Sequence, residues 1–327
     1  MIVAPTDQNV ARAAQALARG ELVAFPTETV YGLGANARDA AAVGRLFAAK
    51  GRPAEHPVIV HLADAAALPR WARMVPAGAQ ALIRAFWPGP LTLILARADA
   101  VPDALTGGQS SVGLRVPAQP VAHALLVQVA ALGCDGIAAP SANRFGRISA
   151  TTAGHVAEEF GDEIALILDG GPSRHGIEST IVDFSGGEPV VLRPGSITSE
   201  ELAHVLGASP RSARLGATRA PGTLATHYAP RTPAKLMART ELLAALAGLG
   251  GSNSHISVLA HSVGQPPEFE GAWFDAPGES ARYAQQLYAN LRALDAREAD
   301  EIWIEAPPDG PDWVAIGDRL RRATHRD

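Results

Sequence analysis

The stretch KGRPAEHPVIVH, from Lys50 to His61, sets a lysine and an arginine two residues apart and then runs into an apolar segment. Other apolar runs also close on polar groups: FPTET, LRVP with Arg115, APSAN with Ser141 and Asn143, and LRPG with Arg193. In open α/β sheets, ligands collect beyond the strand ends, where loops present polar side chains on a rigid support. If Lys50, Arg52, Arg115 and Arg193 share one cleft, each close pair repels by up to about 4 kcal/mol at intermediate screening. Phosphates and a carboxylate would relieve that repulsion. Arginine offers a flat fork for either anion, whereas lysine is a compact charge that can follow charge developing on phosphorus. The chain has only two lysines, Lys50 and Lys235, against 26 arginines, so a lysine at position 50 points to a need for that compact charge. Taken alone, Lys50, Gly51 and Pro53 read equally well as an ordinary helix stop.

Competing chemistries have weaker support. The sequence has no GxxxxGK[ST], HExxH or GxSxG motif. GLGANA resembles a dinucleotide-binding turn, but TETVY stands between the preceding strand and the glycines. His56 and His61 could ligate a metal only with carboxylate help that no spacing identifies. Cys134 is the only cysteine, which excludes an internal disulfide and a cysteine-based zinc site. A net charge of −5 and 5% aromatic residues argue against a broad nucleic-acid footprint. The opening MIVAPTDQNVARAAQALARG lacks a basic start followed by an apolar core, and VAHALLVQVAALG is too short for a membrane span. The expected location is cytoplasmic.

The elements that must position these residues follow from periodicity. Strands are predicted at ELVAFP, PVIVHLA, LTLILARA, SVGLRVP, GIAAPS, ALILDGG, STIVDFS and PVVLRPG, and helices at DAAAVGRLFAAK, 77–86, PVAHALLVQVAAL, TAGHVAEEF and TSEELAHVLG. The STIVDFS and PVVLRPG strands, joined by GGE, read as a hairpin, so the sheet is expected to be mixed. GASPRSARLGATRAPGTLATHYAPRTP has no sustained period and reads as a linker. A second alternation of strands and helices follows, ending in a basic segment. The expected organisation is a larger domain over 1–207, a linker over 208–235 and a small α/β domain over 236–327.

FPTETVYGLGANA, KGRPAEHPVIVHLA, FWPGPLTLIL, VGLRVP, APSAN, GIESTIVDF and LRPGSI together resemble the threonylcarbamoyl-AMP synthase family, whose catalytic part is a YrdC-like domain. APGTLATHYAP further resembles the linker of the family's long form. The resemblance implies a twisted, open sheet of mixed parallel and antiparallel strands with flanking helices, plus a smaller Rossmann-like C-terminal domain. It implies the condensation of L-threonine, bicarbonate and ATP to threonylcarbamoyl-AMP and pyrophosphate, with Mg²⁺ accompanying the ATP. The product would pass to a tRNA threonylcarbamoyltransferase complex acting on adenosine 37, without stable nucleic-acid or membrane binding by this chain.

By the same resemblance, Lys50 and Arg52 are the catalytic cations and line the ATP site with His56, Ser111, Ser141, Asn143, Ser149, Arg193 and Tyr228. Tyr228 is expected to pack over the nucleotide as the linker folds across the site. Thr29, His61, Arg115, Ala139 and Ser179 correspond to the threonine pocket. Ala150 stands where relatives often have proline, which alters the setting of Ser149. The alternative, from a different class, is a double-stranded RNA-binding module without nucleotide chemistry; it requires salt-sensitive RNA binding in the absence of ATP.

Overall fold

The computed structural model describes residues 1–213, 218–249 and 255–325. The chain divides into two compact units, Met1–Phe145 with Ser149–Thr223, and Gly146–Ile148 with Leu224–Asp327. The division at Thr223 falls inside the segment expected to be a linker. Residues 218–223 are bound into the first unit: Arg219 exchanges hydrogen bonds with Gln109, and the Thr218 hydroxyl donates to Asp183.

The first unit contains strands β1 (Ile2–Val3), β2 (Val23–Phe25), β3 (Gly32–Asn36), β4 (Ile59–His61), β5 (Leu91–Ala96), β6 (Ser111–Arg115), β7 (Ile137–Ala138), β8 (Leu166–Leu168), β9 (Thr180–Asp183), β10 (Val190–Arg193) and β11 (Arg211–Ser212). They form one mixed sheet in the order β1-β8-β2-β3-β7-β4-β6-β5-β9-β10-β11. Its helices are α1 (Asp7–Ala18), α2 (Ala40–Lys50), α3 (Ala77–Phe86), α4 (Asp103–Thr106), α5 (Pro120–Ala131), α6 (Ala153–Phe160) and α7 (Ser199–Leu206). All eight expected strands and all five expected helices of this unit form, and β9 and β10 are the expected antiparallel pair. The Thr198 and Glu201 side chains close a capping box at the start of α7.

The periodicity reading misses β1, β3, β11, α1 and α4. Helix α1 is capped by Thr6 and buries Val10, Ala13, Ala14 and Leu17 at helical spacing, but its apolar face is mostly alanine and gives a weak signal. Strand β3 is the glycine-rich GLGAN segment. It is a strand and not a turn because it pairs antiparallel with β2 on one side and β7 on the other. Its second glycine is required by packing: a Cβ on Gly34 would lie 2.9 Å from the Phe25 ring and 3.0 Å from Ile137.

Helix α2 ends as the sequence suggests. Lys50 is its last residue, and Gly51 takes a left-handed φ of 62°, its N–H bonded to the Phe47 and Ala48 carbonyls. The helix-stop reading and the functional reading of this stretch are therefore compatible, because Lys50 is also buried.

The second unit has four parallel strands, β12 (Ala234–Met237), β13 (Ile256–Ala260), β14 (Ala272–Asp275) and β15 (Glu301–Glu305), in the order β12-β15-β13-β14. Helices α8 (Arg239–Ala247), α9 (Ser280–Asp295) and α10 (Val314–Thr324) complete it. Gly146–Ile148, three residues from the loop between Asn143 and Ser149, belong to this unit: Ala229 N–H donates to Gly146 O, and Arg292 donates to Ile148 O. Among the described residues, no helix is long and apolar enough to cross a membrane.

Two glycines test the packing argument. Gly34→Ala should lower stability by about 1–3 kcal/mol through overpacking. Gly44→Ala, on the exposed side of α2 with nothing within 4 Å of the new methyl, should raise it by up to about 1 kcal/mol. Urea unfolding of both variants checks the pair; equal shifts of the same sign would refute the close contact at Gly34.

Candidate active site

Helix α2 delivers Lys50 to the APSAN segment. Its ammonium donates to the Ser141 carbonyl at 2.6 Å and to the Asn143 carbonyl, and its own carbonyl accepts from Phe145 N–H. Burial, reinforced by the charge of Arg52, holds the Lys50 ammonium well below the ordinary lysine pKa. Arg52 donates to the carbonyls of His56 and Pro57 and lies over the Phe145 ring at 5.5 Å. His56 meets the same ring at 5.2 Å, and burial followed by the Arg52 charge lowers its pKa. The structure thus brings Lys50, Arg52, His56, Ser141 and Asn143 together. Asn143 Nδ2 bonds to the Arg144 carbonyl, and Ser141 bridges to Gly32 at the start of β3.

A second cluster centres on Arg115. Its Nε donates to Gly89 O at 3.2 Å, Nη1 to Thr29 Oγ1 at 2.9 Å and Nη2 to Glu28 Oε1 at 2.6 Å. Thr27 and Thr29 share a hydroxyl hydrogen bond of 2.8 Å. Pairing directions across the sheet make β2 and β6 run in opposite senses, so the turn after β2 must fold back across the sheet for Thr29 to reach Arg115. His61 pairs in register with Arg115 on the adjacent strand. Burial, with the Arg115 charge adding to it, lowers the His61 pKa to about 3, so the ring is neutral. Its Nδ1 is buried and has no hydrogen-bond partner among the described residues. A buried imidazole nitrogen of this kind suits a ligand hydroxyl or amine.

A third cluster joins Ser179 and Arg193. The Arg193 guanidinium donates to Ser179 O, to Ser179 Oγ at 3.1 Å and to Pro221 O at 2.9 Å. Ser179 Oγ also meets Thr92 Oγ1 at 2.7 Å. At the residue before Ser179, the Glu178 carboxylate accepts from Ser149 Oγ at 2.6 Å. Ala139 N–H is bonded to Ile59 O, and Ser111 opens β6, opposite Ala96.

The four cations are held differently: Lys50, Arg52 and Arg193 donate to backbone carbonyls, which leave their charge in place, and Arg115 is paired with the Glu28 carboxylate. Tyr228 lies in the second unit, stacked on Tyr288 with ring centroids 5.6 Å apart and with the Arg319 guanidinium 5.3 Å from its ring. It adopts a left-handed φ of 62°, unusual for a bulky residue.

Sequence reasoning missed Glu28, Thr92 and Glu178. All three sit inside or beside quoted motifs, FPTET, PLTLIL and GIEST, so their position was visible, but their partners lie 87 or 29 residues away. A cavity of about 600 Å³ is lined by Thr27, Glu28, Gln119, Arg174, His175 and Ser196 among others, and its lining includes none of the three lysine- and arginine-bearing nucleotide positions Lys50, Arg52 and Arg193.

The state of His61 has a measurable consequence. The unfolded imidazole takes up a proton near pH 6.5, but the folded one only near 3. Between these values the unfolded chain holds more protons, so stability rises with pH by about 1.4 kcal/mol per unit from this group. Denaturant unfolding at pH 4–6.5 should show His61→Gln with a shallower dependence than the unmodified chain; an unchanged slope would mean that His61 is not buried as a neutral ring.

The comparisons with known proteins fit this arrangement. Residues 15–195 match the Sua5/YciO/YrdC family, described as "Telomere recombination", and residues 197–324 match the threonylcarbamoyl-AMP synthase C-terminal domain. The chain is similar to the threonylcarbamoyl-AMP synthases of Pyrococcus abyssi, 38% identical with 95% of this chain and 93% of the relative covered, and of Bacillus subtilis, 38% identical with 97% and 93% covered. The crystal structure of P. abyssi Sua5 complexed with L-threonine superposes with a TM-score of 0.89 at 36% identity, covering 99% of this chain and 97% of that one. The chain therefore belongs to the threonylcarbamoyl-AMP synthase family of enzymes, in the long form that carries a C-terminal domain.

Proposed function

We propose that this chain is an L-threonylcarbamoyladenylate synthase, a nucleotidyltransferase that condenses L-threonine, bicarbonate and ATP and releases pyrophosphate. The observation that carries the reading is the buried Arg115, fixed by Thr29 and Glu28 beside a neutral His61 with an unpartnered nitrogen. A guanidinium for a carboxylate and polar groups for an amine and a hydroxyl are what a threonine site requires. The similar P. abyssi protein, crystallised with L-threonine, supports the assignment.

In this reading Thr29, His61, Arg115, Ser179 and the Ala139 backbone hold threonine. Its amine, freed of its ammonium proton, adds to carbon dioxide with loss of a second proton, or to bicarbonate with release of water, and the resulting carbamate oxygen attacks the ATP α-phosphorus as the bond to the leaving pyrophosphate breaks. Lys50 and Arg52 act as the catalytic cations by neutralising phosphate charge, exchanging backbone carbonyls for phosphate oxygens. His56, Ser111, Ser141, Asn143, Ser149 and Arg193 complete the nucleotide site. Tyr228, packing over the nucleotide, rests on the resemblance alone. No covalent enzyme intermediate is required, because positioning and charge stabilisation supply the catalysis.

The residues present fit a metal that arrives with its substrate. Among the described residues, no group of three or more His, Cys, Asp or Glu converges to hold an ion, and the nucleotide positions are cationic. In this reading Mg²⁺ would travel with the ATP phosphates and screen their charge. The proposed destination of the product is a tRNA threonylcarbamoyltransferase complex acting on adenosine 37, in the cytoplasm.

Pyrophosphate release by the purified chain with ATP and Mg²⁺ tests the reading. Release should require both threonine and bicarbonate; release indifferent to either, or RNA binding without nucleotide chemistry, would overturn it. Lys50→Ala should lower turnover about 100-fold or more while leaving the fold intact by circular dichroism; Arg115→Ala should lower turnover as much and also cost about 3–5 kcal/mol of stability, because it leaves the buried Glu28 unpaired. Valine should be rejected by about 10⁴-fold relative to threonine, because the groups awaiting its hydroxyl would be left unpaired. Comparable turnover of the two amino acids would remove the hydroxyl contact from the mechanism.

A further inference from the structure

We infer that Glu28 is a positioning and specificity residue: it fixes the Arg115 fork and, through its charge, makes the amino-acid pocket select a zwitterion over a simple carboxylate. This inference rests on the threonine reading above.

Glu28 and Arg115 are both buried, with 6% and 4% exposure, so their 2.6 Å ion pair is shielded from solvent. The second carboxylate oxygen accepts from Ala118 N–H at 3.1 Å and Gln119 N–H at 3.3 Å. The Glu28 carbonyl accepts from His175 N–H. One residue therefore fastens the turn after β2 to the junction between β6 and α5 and to the loop after β8. Burial alone would raise its pKa, but the Arg115 charge and these hydrogen bonds outweigh it and hold the carboxyl below the ordinary range.

A guanidinium has five N–H donors. Gly89, Thr29 and Glu28 take one each, on Nε, Nη1 and Nη2. Each terminal nitrogen retains one N–H for a ligand carboxylate, and the three contacts leave the fork a single orientation.

The charges then decide what fits. Arg115 and Glu28 sum to zero, and His61 is neutral. A zwitterion adds no net charge to this buried group, whereas a carboxylate without its ammonium adds one negative charge near Glu28. At about 6 Å and intermediate screening that penalty corresponds to a factor of about 100 in affinity.

The test is calorimetric binding of L-threonine and its des-amino analogue, 3-hydroxybutanoate, to the full chain, with ATP affinity as the control. Glu28→Gln should narrow the preference for threonine over the analogue by about 10- to 100-fold while ATP affinity changes less than about threefold. Glu28→Asp keeps the charge but shortens the reach; it should weaken threonine binding about 10-fold and preserve the preference. A preference unchanged in Glu28→Gln, or narrowed equally in Glu28→Asp, would overturn the inference. If the unmodified chain binds ATP but no threonine, the threonine reading fails and the inference fails with it.

Discussion

A guanidinium in the interior of this fold depends on a carboxylate 2.6 Å away. Taking either charge out of water alone would cost several kcal/mol, and removal of one partner from such a pair typically destabilises by about 3–5 kcal/mol. The pair reaches further than its own bond. Arg115 ends β6 and touches Gly89 ahead of β5, while Glu28 follows β2 and holds the peptide N–H groups that lead into α5. Strands distant in the sheet order are thereby fixed relative to one another. The same contacts that stabilise the interior use three of the five guanidinium N–H groups, so in the proposed reading the stability of the fold and the geometry of the pocket share one cause.

The remaining cations follow a different rule. Lys50, Arg52 and Arg193 each donate to backbone carbonyls, which carry partial charge and no proton equilibrium of their own. Carbonyls hold a cation in place without cancelling its net charge. In the proposed reading a phosphate would replace them with a full negative charge, so the carboxylate-paired Arg115 would suit a zwitterion and the carbonyl-held Lys50 and Arg52 a polyanion.

Much of this was legible in the sequence, and the gaps have physical reasons. Strands β4, β5, β6, β9 and β10 carry dense aliphatic and β-branched runs and are readable from periodicity alone. Strand β3 is not, because its glycines serve close packing on Phe25 and Ile137 and erase the alternation. Lys50, Arg52 and Arg115 are legible as chemistry because cations at strand and helix ends stand out against apolar neighbours. Glu28 and Glu178 are not: a carboxylate in a threonine-rich turn looks solvated, and only the tertiary fold brings Arg115 and Ser149 to it. The membership of Gly146–Ile148 in the second unit is likewise invisible, since nothing in NRFGRIS marks a pairing with residues beyond 224.

The second unit shows how far fold-level analogy extends. Its parallel sheet has β15 between β12 and β13, so the chain leaves β13 toward β14 and leaves β15 on the other side. The crevice between those carboxyl ends is where open α/β sheets usually receive an anionic ligand. Here the N–H groups of His261, Ser262 and Val263 point to Glu305 at the end of β15, and the Ser262 hydroxyl joins them. Burial would raise the Glu305 pKa, but these donors outweigh it and keep the carboxyl ionised. The peptide dipoles that could cradle a phosphate are thus satisfied by the chain's own carboxylate. An external anion at that point would have to displace a buried, fully hydrogen-bonded charge, so the Rossmann-like arrangement of this unit does not by itself imply a nucleotide site.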